Sequence, residues 1–242
     1  MSNARLNVIQ GAMCFVDDTH VKRVVDAFGA NVVKYIDDFT SGPGIDAAFD
    51  NNWTVTRVEA GASESTVTRT DGSGGFLLLT TDTNENDGIN MQLIGESYEL
   101  TADQQLYFGA FGITINDVTQ TDFFIGLAIT DTDILGGVTD RIGFESLDGS
   151  AAVGFMVEKD STETKSSSLA TIVDATPFDL EFYWDGGRSE LMVFIDGSEV
   201  TAPAITNLPN DEALRLTMRF LTGEAGAQTM SIDRISVIQI GR

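Results

Sequence analysis

A run of acidic residues near the middle of the chain has a spacing that could hydrolyse a glycosidic bond. Glu158, Asp160 and Glu163 follow the pattern Glu-x-Asp-x-x-Glu. Retaining glycoside hydrolysis uses one carboxylate as nucleophile and a second as acid and base, about 5–5.5 Å apart. A strand that carries such a pair should be apolar between its carboxylates, whereas the other positions of this run hold lysine, serine and threonine. We therefore expect a polar loop here and no catalysis.

A single histidine and a single cysteine limit the other chemistries. A serine hydrolase of the triad type would need His20, which lies beside Asp17 and Asp18 in the N-terminal segment. We interpret it as a solvated histidine. Cys14 alone excludes an internal disulfide, and a zinc site built on several histidines or cysteines lacks its ligands. We assign no catalytic residue and no cofactor.

Two acidic stretches leave calcium binding open. Residues 82–88 (Asp-Thr-Asn-Glu-Asn-Asp-Gly) place oxygen donors at alternate positions, as a hard cation requires. This is not an EF-hand, because the glycine falls one place late and Leu93 stands where the bidentate glutamate belongs. Asp131, Asp133 and Asp140 form the second stretch. Solvated turns are the favoured interpretation of both, so we assign no metal ligand.

Aromatic side chains in loops at one end of a β fold could bind a sugar. Trp53, Tyr98, Tyr183 and Trp184 are available. Trp184 directly precedes an Asp-Gly-Gly turn and is the best placed of the four for exposure. Strand periodicity nevertheless favours packing inside the fold for most of them.

The overall charge excludes several classes of partner. The chain has 242 residues with 14 basic and 37 acidic side chains, a net charge of −23. Such a charge repels nucleic acids and anionic membrane surfaces, so we expect neither as a partner. No apolar run approaches the length of a membrane helix, and the opening residues lack the apolar core of a signal peptide. We expect a protein that folds in the cytoplasm in which it is made.

Five Asp-Gly dipeptides indicate the architecture. Most of them separate runs of β-branched and aromatic residues: Asp71-Gly72, Asp87-Gly88, Asp148-Gly149, Asp185-Gly186 and Asp196-Gly197. Type I′ turns need positive φ at both central residues, which Asp tolerates and Gly adopts without steric cost. The pattern predicts an all-β antiparallel body of roughly fourteen short strands.

Alternation of apolar and polar residues predicts two C-terminal strands. Residues 214–220 alternate strictly, which is typical of a strand with one buried face. Met230 and Ile232 keep one phase of alternation, and Ile235 and Val237 keep the other. The change of phase between them predicts a β-bulge.

The N-terminal segment differs from the rest in charge. Residues 1–36 hold four basic and three acidic side chains, a net charge of +1, whereas residues 37–242 carry −24. We therefore divide the chain into an N-terminal attachment arm (1–36) and a β body (37–242).

Helical spacing in the arm suggests a binding surface. Val21, Val24, Val25 and Phe28 form one apolar stripe at positions i, i+3, i+4 and i+7, after an N-cap signal at Asp18-Thr19. The pattern predicts a short helix. Two alternatives remain: the helix packs on the sheet of its own domain, or the four stripe residues bind a neighbouring subunit or shell.

Several blocks of the body resemble concanavalin A-like jelly-roll domains. The blocks are Gly74–Thr81, Phe123–Leu127, Val193–Gly197 and Met230–Val237, together with Asn207–Leu214, Phe220 and Gly223–Ala225. The last group is similar to a variety found in virion structural proteins of tailed phages. The resemblance covers roughly residues 37–242 and implies a jelly-roll sandwich of two antiparallel sheets.

The resemblance implies a function as well as a fold. It suggests a non-enzymatic capsid decoration protein that binds the major capsid protein on the virion surface, after assembly in the host cytoplasm. Such proteins are often symmetric homo-oligomers, and a trimer would suit a capsid symmetry axis. The alternative is a carbohydrate-binding module of a phage tail or fibre, with a glycan as partner. A glucanase-like hydrolase is the third interpretation, because the same fold hosts glucanases.

Overall fold

The computed structural model describes residues 4–17, 23–40, 52–59, 64–70 and 74–241, and it confirms the all-β prediction. Nineteen strands lie in these residues, more than predicted. They are β1 (Ala4–Ile9), β2 (Ala12–Asp17), β3 (Val24–Phe28), β4 (Val32–Asp37), β5 (Trp53–Val58), β6 (Thr66–Thr70), β7 (Phe76–Thr80), β8 (Gly88–Leu93), β9 (Gln105–Ile115), β10 (Thr121–Ala128), β11 (Arg141–Ser146), β12 (Ala152–Lys159), β13 (Thr162–Thr171), β14 (Phe178–Asp185), β15 (Glu190–Ile195), β16 (Ser198–Val200), β17 (Arg215–Thr222), β18 (Thr229–Ile232) and β19 (Arg234–Ile240).

Helical structure is limited to two short 3₁₀ turns within the described ranges, Val118–Gln120 and Ile205–Asn207. In the same ranges no helix has the length and apolar character needed to cross a membrane.

Two antiparallel sheets form the body, as predicted. One has seven strands in the order β13-β12-β11-β10-β17-β8-β5. The other has nine strands. Seven of them follow the order β16-β15-β14-β9-β18-β7-β6. Strand β9 also pairs with β19, and β19 pairs with β4. Strand β4 spans residues 36 and 37, where we divided the chain, so part of the segment assigned to the arm lies in this sheet.

An aromatic cluster joins the two sheets at the centre of the core. Phe108 and Phe182 stack with ring centroids 4.9 Å apart on the nine-stranded sheet. Phe144 and Phe155 come from the seven-stranded sheet and meet at 4.8 Å, and Phe155 lies 5.4 Å from Phe182. All four rings are fully buried. The alternating apolar positions of the strands therefore fill one core between the sheets.

Both predicted C-terminal strands are present, but two details of the prediction are wrong. Strands β18 and β19 pair with β9 in one continuous register, so the phase change is not a β-bulge. Thr217 and Arg219 are buried as well, so β17 does not have one solvent-facing side. The apolar residues of 214–220 are buried on one face. Met230, Ile232, Ile235 and Val237 are also all buried, because the chain leaves β18 and enters β19 at Asp233. The change of phase thus keeps both pairs of side chains in the core.

The Asp-Gly dipeptides serve different purposes. Asp196 and Gly197 have φ of 50° and 70°, as a type I′ hairpin turn requires. Gly88 begins β8 instead, and a Cβ there would lie 2.2 Å from the carbonyl oxygen of Phe220. Its role is close strand packing. Asp71-Gly72 lies outside the described residues.

A third sheet covers the outer face of the nine-stranded sheet. Strands β1, β2 and β3 form it in that order. Its inner face carries the buried side chains Ala12, Cys14, Val16, Val24 and Ala27. They pack on these outward-facing residues of the body: Tyr107, Tyr183, Met192, Phe194, Ile238 and Ile240. The N-terminal segment therefore packs on its own domain, which was one of the two alternatives.

The predicted helix is wrong where the structure describes the segment. Val24, Val25 and Phe28 belong to strand β3, with Val24 buried against the body, Val25 half-buried and Phe28 exposed. Val21 and His20 lie outside the described residues. The assignment of the four stripe residues to partner binding stays a prediction.

Candidate functional site

The acidic run 158–163 forms a hairpin and not a single strand. Glu158 lies near the end of β12, and Glu163 faces it from β13 across a turn at Asp160-Ser161, where both φ values are positive. Arg141 on β11 donates from Nε to Glu158 Oε2 at 2.7 Å, and its Nη2 lies 3.8 Å from Glu163 Oε2. Glu158 and Glu163 therefore share the guanidinium of Arg141, which links strands β11, β12 and β13. The two carboxylates lie on different strands, unlike the catalytic pair of a retaining glycosidase of this pattern.

The first calcium candidate gathers carboxylates that the sequence pattern did not connect. Asp82 and Asp87 of the acidic loop lie with Glu59, and carboxylate oxygens of the three are within 4.8 Å of one another. Asp87 is fully buried and accepts a hydrogen bond from Asn84 Nδ2 at 3.0 Å. The group could supply three oxygen ligands to a hard cation. Glu59 was missed because it lies 23 positions before Asp82, outside any local pattern.

The second acidic stretch is divided among different partners. Asp131 Oδ1 accepts from the backbone N–H of Asp133 at 2.7 Å. Asp133 Oδ1 lies 3.4 Å from Arg219 Nη2. Asp140 accepts from Thr139 Oγ1 at 2.7 Å. Asp131 is therefore part of a turn, as the sequence favoured, whereas Asp133 forms an ion pair with strand β17 and Asp140 is buried rather than solvated.

The four candidate sugar-binding aromatics are buried. Trp53, Tyr98, Tyr183 and Trp184 are each at most 3% exposed. Trp184 donates from Nε1 to the carbonyl oxygen of Thr101 at 3.1 Å. The suggestion that Trp184 is exposed is therefore wrong, and burial by strand periodicity is confirmed. None of these rings is free to stack on a sugar.

A polar pocket of about 410 Å³ lies at one edge of the sandwich. Its polar lining consists of Glu96, Ser97, Glu99, Gln104 and Gln239. Val33 on β4 and Ala213, just before β17, complete the lining. The pocket therefore lies where the segment between β8 and β9 meets β4 and β19.

Backbone hydrogen bonds fix the segment that carries most of these side chains. Tyr98 exchanges two bonds with Leu214, at 3.0 and 2.7 Å, and Ser97 donates its N–H to Leu214 at 2.9 Å. Glu99 donates its N–H to Gln239 Oε1 at 2.8 Å. The segment between β8 and β9 is therefore tied both to the seven-stranded side and to β19, which pre-forms the pocket.

Glu96 is held as an ionised carboxylate at the rim. Burial opposes its ionisation, but hydrogen bonds from the Thr130 hydroxyl and N–H outweigh burial, and Arg215 adds its charge at 3.6 Å. The net effect lowers the pKa of the Glu96 carboxyl. Glu96 is therefore ionised at neutral pH, and Arg215 offsets part of its charge.

Gln104 places an unsatisfied acceptor at the pocket. Its side chain is only 8% exposed. Its Nε2 donates to Glu99 Oε2 at 3.4 Å, whereas its Oε1 is buried with no hydrogen-bond partner. The opposite orientation of the amide would set two acceptors against each other, because a carboxylate only accepts. Buried polar atoms normally have partners, so a bound water or a donor group of a ligand would satisfy this Oε1.

Comparison with known proteins identifies the fold class. No family model matches the chain, and no curated protein matches its sequence. An endo-1,3-β-glucanase from Streptomyces sioyaensis is similar in structure, with a TM-score of 0.62 and 13% identity over 90% of this chain and 100% of the other. A mixed-linkage glucan GH16 protein from Bacteroides ovatus, solved with a product, has a TM-score of 0.59 and 13% identity over 84% and 99%. The Emp46p carbohydrate recognition domain has a TM-score of 0.55 and 12% identity over 84% and 98%.

These likenesses show that the chain has a jelly-roll β-sandwich fold, the fold of these GH16 and concanavalin A-like structures. The jelly-roll part of the sequence-based resemblance is confirmed. The prediction that the chain is not an enzyme is contradicted by the glucanases among these structures, and it is withdrawn. None of the three structures is described as a phage or virion protein.

Proposed function

We propose that this jelly-roll protein binds a neutral glycan in the pocket formed by Glu96, Ser97, Glu99, Gln104 and Gln239. The observation that carries the proposal is the polar pocket itself, to which Gln104 contributes an amide whose buried Oε1 has no partner within the chain. A ligand hydroxyl would satisfy it. Leaving such a group unsatisfied costs about 1–3 kcal/mol, so its pairing favours a bound state.

The donor and acceptor balance of the pocket supports a sugar as ligand. Two carboxylates accept hydrogen bonds, whereas the Ser97 hydroxyl and the Gln239 amide can also donate, so the pocket suits a ligand that offers both donors and acceptors. A neutral sugar offers a hydroxyl at most ring positions. An acidic sugar or a phosphate would be repelled by the carboxylates of the pocket and by the net charge of −23 on the chain. The glucan-acting proteins of similar fold make β-1,3-glucan the first ligand to test.

Hydrolysis of the bound glycan is a second candidate function. Glu96 and Glu99 bring two carboxyl groups to one pocket, as glycoside hydrolysis requires, and Glu96 is held ionised. The glucanases of similar fold support this candidate. If it holds, the wild type releases reducing sugar from β-1,3-glucan, and Glu99→Gln abolishes the release.

A position in a virion stays a prediction. A glycan-binding jelly roll is compatible with a phage tail or fibre, whereas a decoration protein bound to the major capsid protein needs many copies on a head. The fold comparisons support glycan binding better than decoration.

Substitution of Gln104 should weaken glycan binding without unfolding the protein. We expect Gln104→Leu to raise the dissociation constant of a β-1,3-glucan oligosaccharide about 3- to 10-fold, the effect of losing one net hydrogen bond. Isothermal titration calorimetry measures this. The matched control is Glu199→Gln on the edge strand β16, which removes a carboxylate that does not line the pocket and should leave affinity unchanged. Equal affinity in Gln104→Leu and wild type would remove the basis of the proposal.

A further inference from the structure

The outward face of the N-terminal sheet is apolar except at Asp26, which lies opposite Phe15 and pairs with Lys34. Its alternating positions carry Leu6, Val8, Met13, Phe15 and Phe28, all exposed; we call these five residues the outer apolar face. Leu6 lies opposite Phe15, and Met13 lies between Val8 and Phe28 in the strand register. The rings of Phe15 and Phe28 meet edge to face at 6.2 Å. The five side chains therefore form one surface.

Exposed apolar side chains are concentrated at this place. Nine large apolar residues are exposed in the described parts of the chain, and five of them belong to the outer apolar face. The other four are separated in sequence, at Ile36, Ile94, Leu147 and Val173. Single exposed apolar residues need no explanation, whereas a contiguous patch indicates an interaction surface.

The N-terminal sheet is also electrically neutral in a strongly acidic protein. Arg23 is paired beneath the sheet with Asp17 and with Glu181. At its edge, Lys34 Nζ lies 2.9 Å from Asp26 Oδ1 and 3.9 Å from the centre of the Phe28 ring. Residues 37–242, in contrast, carry a net charge of −24. The outer apolar face is thus the place where another acidic molecule can approach with least repulsion.

We propose that the outer apolar face binds the same face of a second copy of this chain, forming a two-fold dimer. Two copies repel each other through their acidic bodies, and a neutral apolar face avoids that repulsion. A basic partner would instead be drawn to the acidic body. A two-fold contact needs a self-complementary surface, and an apolar face without net charge is self-complementary. Packing sheet against sheet buries all ten side chains, as in a β-sandwich core.

Sedimentation equilibrium of the full chain tests the dimer. The expected mass is twice 26.0 kDa, and added salt should tighten the dimer because it screens repulsion between the bodies. The double variant Val8→Lys/Met13→Lys places like charges in the interface and should raise the dissociation constant on the order of a hundredfold. The control Val173→Lys changes a residue of similar exposure, 61% against 70% for Val8, outside the face and should stay dimeric.

Three results of this experiment would overturn the dimer proposal. A wild type that is monomeric at every concentration measured has no such dimer. A trimer contradicts the two-fold contact, and a dimer that survives Val8→Lys/Met13→Lys uses another surface. Circular dichroism of the double variant shows whether it keeps its β structure; if it does not, Val8→Thr/Met13→Thr repeats the test with a weaker dimer expected. Glycan affinity should be the same in all these variants, so the dimer and the glycan proposal fail separately.

Discussion

Arg23→Leu will destabilise the folded protein by about 3–5 kcal/mol, because it leaves buried carboxylates without their cation. Arg23 is buried between the N-terminal sheet and the body. Its Nη1 donates to Glu181 Oε1 at 2.9 Å, its Nη2 donates to Asp17 Oδ2, and its guanidinium lies 4.6 Å from the Phe194 ring centre. Urea denaturation measures the loss.

The loss should depend on pH through Glu181. Burial raises the pKa of the Glu181 carboxyl, and the Tyr107 hydroxyl and Arg23 lower it in part. Removing Arg23 therefore raises that pKa further. At pH values between the ordinary pKa of a glutamate and the raised pKa of Glu181, this carboxyl is protonated in the folded variant and ionised in the unfolded chain. The free energy of unfolding of the variant therefore falls as the pH rises through this range. The difference from wild type should thus be larger near neutral pH than in the acidic range of carboxyl titration.

Two further variants test whether the buried charges cause the loss of stability in Arg23→Leu. Arg23→Leu/Glu181→Gln should recover part of the stability, since it removes one of the uncompensated charges. Lys159→Met breaks an exposed pair with Asp211, 3.0 Å between Nζ and Oδ2, and should cost less than about 1 kcal/mol. A loss in Arg23→Leu no larger than in Lys159→Met would contradict the packing of the N-terminal sheet on the body.

Phe182→Ala will open a cavity between the two sheets and cost about 3–5 kcal/mol. Phe182 is fully buried, stacks on Phe108 and contacts Phe155 of the opposite sheet. The rigid strands on both sides limit relaxation into the space left by the ring. Thermal or urea denaturation should show the loss with the cooperative transition retained.

The matched control for Phe182 is Phe28→Ala. Phe28 is half-exposed on the N-terminal sheet, so its removal empties no core space. Its effect should stay below about 1 kcal/mol at concentrations where the chain is monomeric. Similar losses in the two variants would place Phe182 outside a tightly packed core.

The sequence predicted the body of the fold because alternation is a local signal. The strands that hold residues 214–220 and 230–237 were predicted from spacing alone and are confirmed, whereas the β-bulge predicted between Ile232 and Ile235 is not. For the N-terminal segment, the same analysis predicted a helix where the structure has a strand. Val24, Val25 and Phe28 match a helical stripe, yet a strand can satisfy their burial too, and β-branched valines favour strands. Pairing of β3 with β2 decided the outcome, and such pairing is not visible from spacing.

The candidate site was beyond a local analysis for a different reason. Glu99 and Gln239 are 140 positions apart, and only the pairing of strands brings them to one pocket. Gln104 carries no motif, since its importance lies in an acceptor left without a donor. The acidic run at 158–163 had the motif and formed a hairpin held by Arg141. Local patterns therefore identified the strands, whereas the pocket depends on contacts between distant residues.

A crystal structure of the protein soaked with a β-1,3-glucan oligosaccharide tests glycan binding in the pocket most directly. We predict a sugar between Glu96, Glu99 and Gln239, with one hydroxyl about 2.5–3.0 Å from Gln104 Oε1. A sugar bound on the outer face of the seven-stranded sheet, or an empty pocket at a saturating concentration, would contradict the account.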